Sequence, residues 1–242
     1  MAGTSAAAEA SSFPASVRSA GAAFSAKGGS GAAETGVSSS SPSAGSFSGS
    51  AVAGGACGIR ALYYDVESIK NTVNVPVIGL VKQSYANSEI YITPTKKEVD
   101  LVLATSADCL AMDATLRPRP NGETLEELVA YVRQTRPDME IMADIATTEE
   151  AENAEKLGFD YISTTLRGYT KETKNARLPD IGFMKKVVKT IKKSKVIAEG
   201  GIFERAEIRK ISKINPYAVV IGSSITRPAA ITARFVKNLS LR

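Results

Sequence analysis

Two periodicities alternate along the chain from about Gly54 to its end. Short apolar runs, read as strands, cover residues 56–61, 75–81, 107–113, 140–145, 161–165, 195–199 and 218–222. Between them, apolar residues recur every three or four positions, as on one face of a helix. Leu125, Leu128, Val129 and Val132 share one such face; Met184, Val187, Val188 and Ile191 share another, and Ile208 and Ile211 a third. Thr124 is followed by Glu126 and Glu127, and Thr147 and Thr148 by Glu149 and Glu150, which suits helix N-termini. Strand alternating with helix in this way predicts a parallel sheet.

The last two strand-like runs sharpen the fold. Ala198-Glu199-Gly200-Gly201-Ile202 and Val220-Ile221-Gly222-Ser223-Ser224 each end an apolar strand in a glycine turn ahead of a helix. Successive units of this kind at the end of a β/α series are how (β/α)8 barrels bind phosphate through backbone N–H groups. Glycine lets the backbone approach an anion that a Cβ would obstruct. The predicted architecture is therefore an α/β (β/α)8 TIM barrel, with Gly200, Gly201, Gly222 and Ser223 as its phosphate-binding positions.

Residues 1–53 break the pattern. They are almost entirely Ala, Ser and Gly, with only Glu9, Arg18, Lys27 and Glu34 charged and few large apolar residues. Such a segment buries too little apolar surface to offset its ordering entropy, so it reads as low-complexity and disordered or atypical. Domain organisation is then 1–53 as this segment and 54–242 as the barrel. A barrel needs an eighth strand ahead of residue 56, and Phe24 within residues 21–27 is the best candidate. The first strand and helix are thus poorly represented, and the barrel is expected to close poorly between its second and eighth strands, with residues 1–53 dispensable.

Composition excludes some chemistry. The chain has no histidine, so a histidine-based triad is impossible, and two cysteines, Cys57 and Cys109, read as reduced structural thiols. No metal site is expected. The net charge of +5 is modest, and its densest lysine run (Lys185, Lys186, Lys189, Lys192, Lys193, Lys195) falls largely opposite an apolar helix face, which predicts a solvated surface and no nucleic-acid partner. No run approaches the length of a membrane span.

Polar residues collect where strands end, the active-site face of a barrel. These are Arg60, Lys82, Asp113, Asp144, Thr164, Thr165, Glu199 and the Gly222-Ser223 turn, followed by Arg227. Lys82 ends the third strand of the ring and Glu199 the seventh, so they should face one another across the mouth. A carbon held between them meets one group on each face, which suits proton removal from one side and return to the other. Lysine serves as a base when desolvation or a neighbouring cation such as Arg60 lowers its pKa. Arg60 and Asp144 could hold substrate hydroxyl or amide groups. For any single charge, an ion pair closing the barrel mouth is an equally good reading.

Several strings together resemble the bacterial N-acetylmannosamine-6-phosphate 2-epimerases: Gly58-Ile59-Arg60-Ala61, Pro76-Val77-Ile78-Gly79 with Lys82, Met142-Ala143-Asp144-Ile145, Ala198-Glu199-Gly200, Ile225-Thr226-Arg227-Pro228, and above all Asp113-Ala114-Thr115-Leu116-Arg117-Pro118-Arg119-Pro120. The resemblance runs from about Gly54 to the C-terminus. It implies an isomerase of amino-sugar catabolism, an N-acylglucosamine-6-phosphate 2-epimerase that is cytoplasmic and needs no cofactor. Its partner is a small amino-sugar phosphate, and a homodimer is compatible with it. By the same resemblance Lys82 and Glu199 are catalytic, and Arg60, Asp144 and Arg227 bind substrate. Two features depart from the family: residues 1–53 lack its Ser-Cys-Gln strand, and Leu62 replaces an asparagine. An impaired phosphosugar-binding barrel is the alternative those departures raise.

Overall fold

A computed structural model of the chain describes residues 21–25, 44–237 and 239. Eight parallel strands form a closed barrel in sequence order: β1 Gly21–Ser25, β2 Gly58–Leu62, β3 Val77–Leu80, β4 Cys109–Asp113, β5 Glu140–Asp144, β6 Tyr161–Ser163, β7 Lys195–Glu199 and β8 Ala218–Ile221. The helices are α1 Ala44–Ala53, α2 Val66–Lys70, α3 Lys96–Leu103, α4 Leu125–Thr135, α5 Thr148–Lys156, α6 Ile181–Thr190, α7 Arg205–Ser212, α8 Ser223–Thr226 and α9 Pro228–Lys237.

The expectation of an open or poorly closed barrel is corrected. β1 pairs with β2, setting Phe24 against Ile59 and Ser25 against Arg60, and with β8, setting Gly21 against Ala218 and Phe24 against Ile221. A strand of Gly-Ala-Ala-Phe-Ser is held by ladders on both sides, which satisfy backbone groups whatever side chains they carry. Its removal would turn β2 and β8 into open edges, each left with one neighbour, which argues against residues 21–25 being dispensable. α1 likewise lies inside the segment read as disordered, and it packs against α2. The remaining expectations for residues 1–20 and 26–43 lie outside the described residues.

Strand parity builds the interior. In β3, Ile78 and Leu80 join the inner cluster while Val77 joins the outer one; in β4, Cys109 and Ala111 lie inside and Leu110 and Met112 outside. β5 repeats this, with Met142 inside and Ile141 and Ala143 outside. Both faces are apolar because helices cover the outer one, the condition of a parallel sheet. By the same alternation Arg60, Asp113, Asp144, Ser163 and Glu199 face inward near the carboxyl ends of their strands, and Lys82 continues the inward register just past β3.

The helices follow the sequence reading. Leu125, Leu128, Val129 and Val132 are buried on α4, and Met184 and Val187 on α6, while Lys185, Lys186 and Lys189 are exposed. Thr124 caps α4: its Oγ1 accepts from Glu127 N at 3.2 Å, and Glu127 Oε2 accepts from Thr124 N at 2.9 Å. Thr147 and Glu150 repeat this box at α5. Cys109 is buried and Cys57 half-buried, and neither is in a disulfide among the described residues. Among the described residues no helix is long and apolar enough to cross a membrane.

Candidate active site

A cavity opens at the carboxyl end of the barrel. Its wall takes Arg60 and Leu62 from β2, Lys82 just past β3, Tyr91 and Ile92 from the loop that follows, Thr165 and Tyr169 from beyond β6, Glu199 to Phe203 from β7 and its turn, and Gly222, Ser223 and Thr226 beyond β8. Lys82 and Glu199 thus reach one cavity from strands on opposite sides of the ring.

Beneath the Glu199 side lies a buried ionic cluster. Arg60, 3% exposed, donates from Nη1 and Nη2 to the two carboxylate oxygens of Asp144 at 2.9 and 2.6 Å, and from Nη1 to Glu199 Oε2 at 3.3 Å. One cation therefore serves two carboxylates. Burial alone would disfavour the guanidinium charge, but these carboxylates hold its pKa above the ordinary arginine value. Burial pushes the Glu199 carboxyl up, with Arg60 opposing and the negative charge of Asp144 adding to the rise. The site favours a proton on Glu199 at pH values where an exposed carboxyl has lost it.

Hydroxyl groups complete the cluster. Thr165 Oγ1 lies 2.6 Å from Asp144 Oδ1, 2.8 Å from Ser163 Oγ and 3.1 Å from Glu199 Oε2. Thr164 fixes the end of β7: its Oγ1 donates to Glu199 O at 2.7 Å and accepts from Glu199 N at 3.0 Å.

Lys82 is built in differently. The chain after it doubles back, and Lys82 forms an antiparallel bridge with Ile92. Gln83 N donates to Tyr91 O, Thr93 N to Val81 O, and Asp113 N to Ile92 O, so residues 91–93 lie between the continuations of β3 and β4. β3 and β4 pair directly only at Ile78–Cys109 and Gly79–Leu110. Thr93 holds the seam above: its hydroxyl accepts from Val81 N at 3.2 Å and donates to Ala111 O at 2.7 Å. It does so with φ at 43°, a left-handed conformation that a β-branched residue rarely adopts. The Lys82 side chain is exposed.

The two glycine turns are adjacent. Gly200 and Gly201 have φ of 112° and 66°, open to glycine alone at little cost, and a Cβ on Gly201 would collide with Leu178. Gly222 starts α8, accepting from Ile225 N and Thr226 N. Ser224 Oγ donates to Ile202 O at 2.9 Å and ties one turn to the other.

Of the residues singled out from sequence, Lys82, Glu199, Arg60, Gly200, Gly201, Gly222 and Ser223 line the cavity. Asp144 does not: it is fully buried beneath Arg60, which it anchors. Arg227 is exposed and outside the lining, because α8 intervenes between the glycine turn and this residue. Asp113 is buried too, paired with Arg117 at 2.7 Å and accepting from Thr115 N and Oγ1. Sequence reasoning missed Tyr91, Tyr169 and Phe203. Their one signal was an aromatic ring in a loop after a strand; Tyr169 and Phe203 are 57% and 42% exposed at the rim. Leu62 lines the cavity as an apolar wall.

Comparison with known proteins bears on what this cavity does. A family model, NanE, described as "Putative N-acetylmannosamine-6-phosphate epimerase", matches residues 46–240. A relative from Staphylococcus carnosus named "Putative N-acetylmannosamine-6-phosphate 2-epimerase" is 50% identical over 187 residues, 76% of this chain and 83% of the relative. The solved structure of the N-acetylmannosamine-6-phosphate 2-epimerase from Clostridium perfringens superposes with a TM-score of 0.84 at 39% identity, covering 98% of this chain and all of that one. A thiamine phosphate pyrophosphorylase from Pyrococcus furiosus, at 18% identity and a TM-score of 0.57, shares the fold.

Proposed function

Because this chain belongs to the N-acetylmannosamine-6-phosphate epimerase family, we propose that it is an N-acylglucosamine-6-phosphate 2-epimerase, interconverting N-acetylmannosamine 6-phosphate and N-acetylglucosamine 6-phosphate. The observation that carries this reading is the meeting of Lys82 and Glu199, from opposite strands, in one cavity beside two glycine turns.

The substrate's own chemistry sets the requirements. The C2 hydrogen is acidic only beside a carbonyl at C1, so the sugar ring opens first. Inversion then needs a proton taken from one face of C2 and one returned to the other. Lys82 and Glu199 supply groups on the two faces, with Glu199 already favoured in its protonated form by burial. Arg60, fixed by Asp144, offers a rigid cation toward developing oxygen charge. The phosphate is assigned to the Gly200–Gly201 and Gly222–Ser223 backbone, with Arg227 on its outer side. The alternative of an impaired phosphosugar-binding barrel drew on an absent first strand and on Leu62, and β1 removes the first of these grounds.

The test is incubation with either sugar phosphate in heavy water. The expected result is interconversion with deuterium entering at C2. Binding without exchange would overturn the assignment. Comparable efficiency on N-acetylmannosamine lacking its phosphate would overturn the role given to the glycine turns.

A further inference from the structure

Thr165 lines the cavity, and its hydroxyl oxygen has more neighbours than one proton can serve. Asp144 Oδ1 is at 2.6 Å, Ser163 Oγ at 2.8 Å and Glu199 Oε2 at 3.1 Å. A hydroxyl has one hydrogen to give and two lone pairs to receive with. At these distances the hydrogen goes to Asp144, whose oxygens also take both Arg60 bonds and act purely as acceptors. The lone pairs then face Ser163, which can donate, and Glu199, which can donate only when protonated. When Glu199 gives up that proton, its carboxylate needs a donor in place of an acceptor. Thr165 can turn its hydrogen from Asp144 to Glu199, since Asp144 keeps two bonds from Arg60.

We propose that Thr165 is a positioning residue whose single hydroxyl proton serves Asp144 and Glu199 in turn, so that the ionised Glu199 gains a donor beside Arg60 and Ser163 where a hydroxyl lone pair would otherwise face it. The inference rests on the reading of Glu199 as a proton-exchanging group. No bond within Thr165 breaks: the exchanged proton passes between Glu199 and the substrate, and the Thr165 hydrogen only rotates. The groups facing Glu199 are Arg60 from β2, Asp144 from β5, Ser163 from β6 and, across the cavity, Lys82 and Tyr91. Thr165, just beyond β6, touches both carboxylates and is neutral, so its replacement changes the hydrogen bonding and leaves the charge count alone.

Thr165→Val keeps the shape and removes the hydroxyl. With the full chain, kcat is expected to fall by about 10- to 100-fold, the size of a lost hydrogen bond to a charged group. KM should stay within about threefold, since the bond matters only as charge appears on Glu199. With the ionised form of Glu199 left with two donors, Arg60 and Ser163, in place of three, the Glu199 inflection in the pH profile of kcat should move to higher pH. Thr165→Ser should restore both rate and inflection. A carbon-13 NMR titration of the Glu199 carboxyl in wild type and Thr165→Val, without substrate, should show the same upward move. A wild type that exchanges no C2 proton sinks the functional reading, while the titration still judges Thr165. An unmoved titration, or a rate loss that Thr165→Ser fails to rescue, overturns the inference. If Thr165→Val does not fold, Thr165→Ala carries the same measurements.

Discussion

Glu199, on the β7 side of the cavity, is 15% exposed and hydrogen bonded to Arg60, Ser163 and Thr165, whereas Lys82, across the ring, is exposed beside an antiparallel bridge. The protein sets the proton affinity of Glu199 before any substrate arrives, through burial, one shared cation and two hydroxyls. Lys82 is placed by the hairpin that doubles back over residues 83–92 and stands in the cavity wall. It follows that activity and stability should separate on the lysine side and fall together on the glutamate side.

Lys82→Ala gives the largest expected effect on turnover. General acid–base groups contribute about 10²–10⁴-fold, and the variant should lose that much in kcat. The side chain is exposed, so unfolding free energy should change by no more than about 0.5 kcal/mol. Kinetics and thermal denaturation of one preparation check both halves. Activity within about threefold of wild type would remove Lys82 from the proton transfer.

Asp144→Asn tests the opposite side. It leaves the buried Arg60 guanidinium with Glu199 as its one carboxylate partner. Removing one partner of a buried pair is expected to cost about 3 kcal/mol in stability, and turnover should fall with it. Full stability alongside lost activity would break the contrast.

Thr93→Val probes the scaffold under Lys82. It preserves the branched shape and deletes the hydroxyl that bridges Val81 N–H and Ala111 C=O, at an expected cost of about 1–3 kcal/mol. Thr93→Ser keeps the bridge and lessens the crowding at φ 43°, so urea unfolding should find it close to wild type. Equal losses in the two variants would mean that the hydroxyl does not hold the seam.

What the sequence made legible follows the same division. β7 occupies the residues its apolar run predicted, and Thr124 and Thr147 cap the helices they precede, because periodicity and capping are local. β1 was only faintly legible, through Phe24 alone within residues 21–27, because its strand character comes from β2 and β8 on either side and Gly-Ala-Ala-Phe-Ser carries one large apolar residue. Lys82 and Glu199 could be found because strand order alone sets them opposite. Asp144 could not be told from a wall residue, since depth along the barrel axis depends on register: Asp144 stands level with Ser163, under the Arg60 guanidinium. The offset of Arg227 from the cavity wall could not be read because α8, a four-residue turn too short to carry a period, comes between it and the glycine turn.

The smallest expected effect is a pH slope. Burial holds the Glu199 carboxyl above the usual carboxylate range. Between the ordinary value and the raised one, the folded protein keeps a proton that the unfolded chain has released. Stability should therefore decrease as pH rises through that window, by at most about 1.4 kcal/mol per pH unit for this one group. Asp113 and Glu150 are raised by burial as well, so the wild-type slope is a sum. Glu199→Gln isolates one part of it: the amide has no proton to release, so its curve should be flatter than wild type across the same window. Urea unfolding of both proteins at several pH values gives the difference directly. Parallel curves would mean that Glu199 titrates as an exposed carboxyl does, and the contrast between the two sides of the cavity would lose its electrostatic basis.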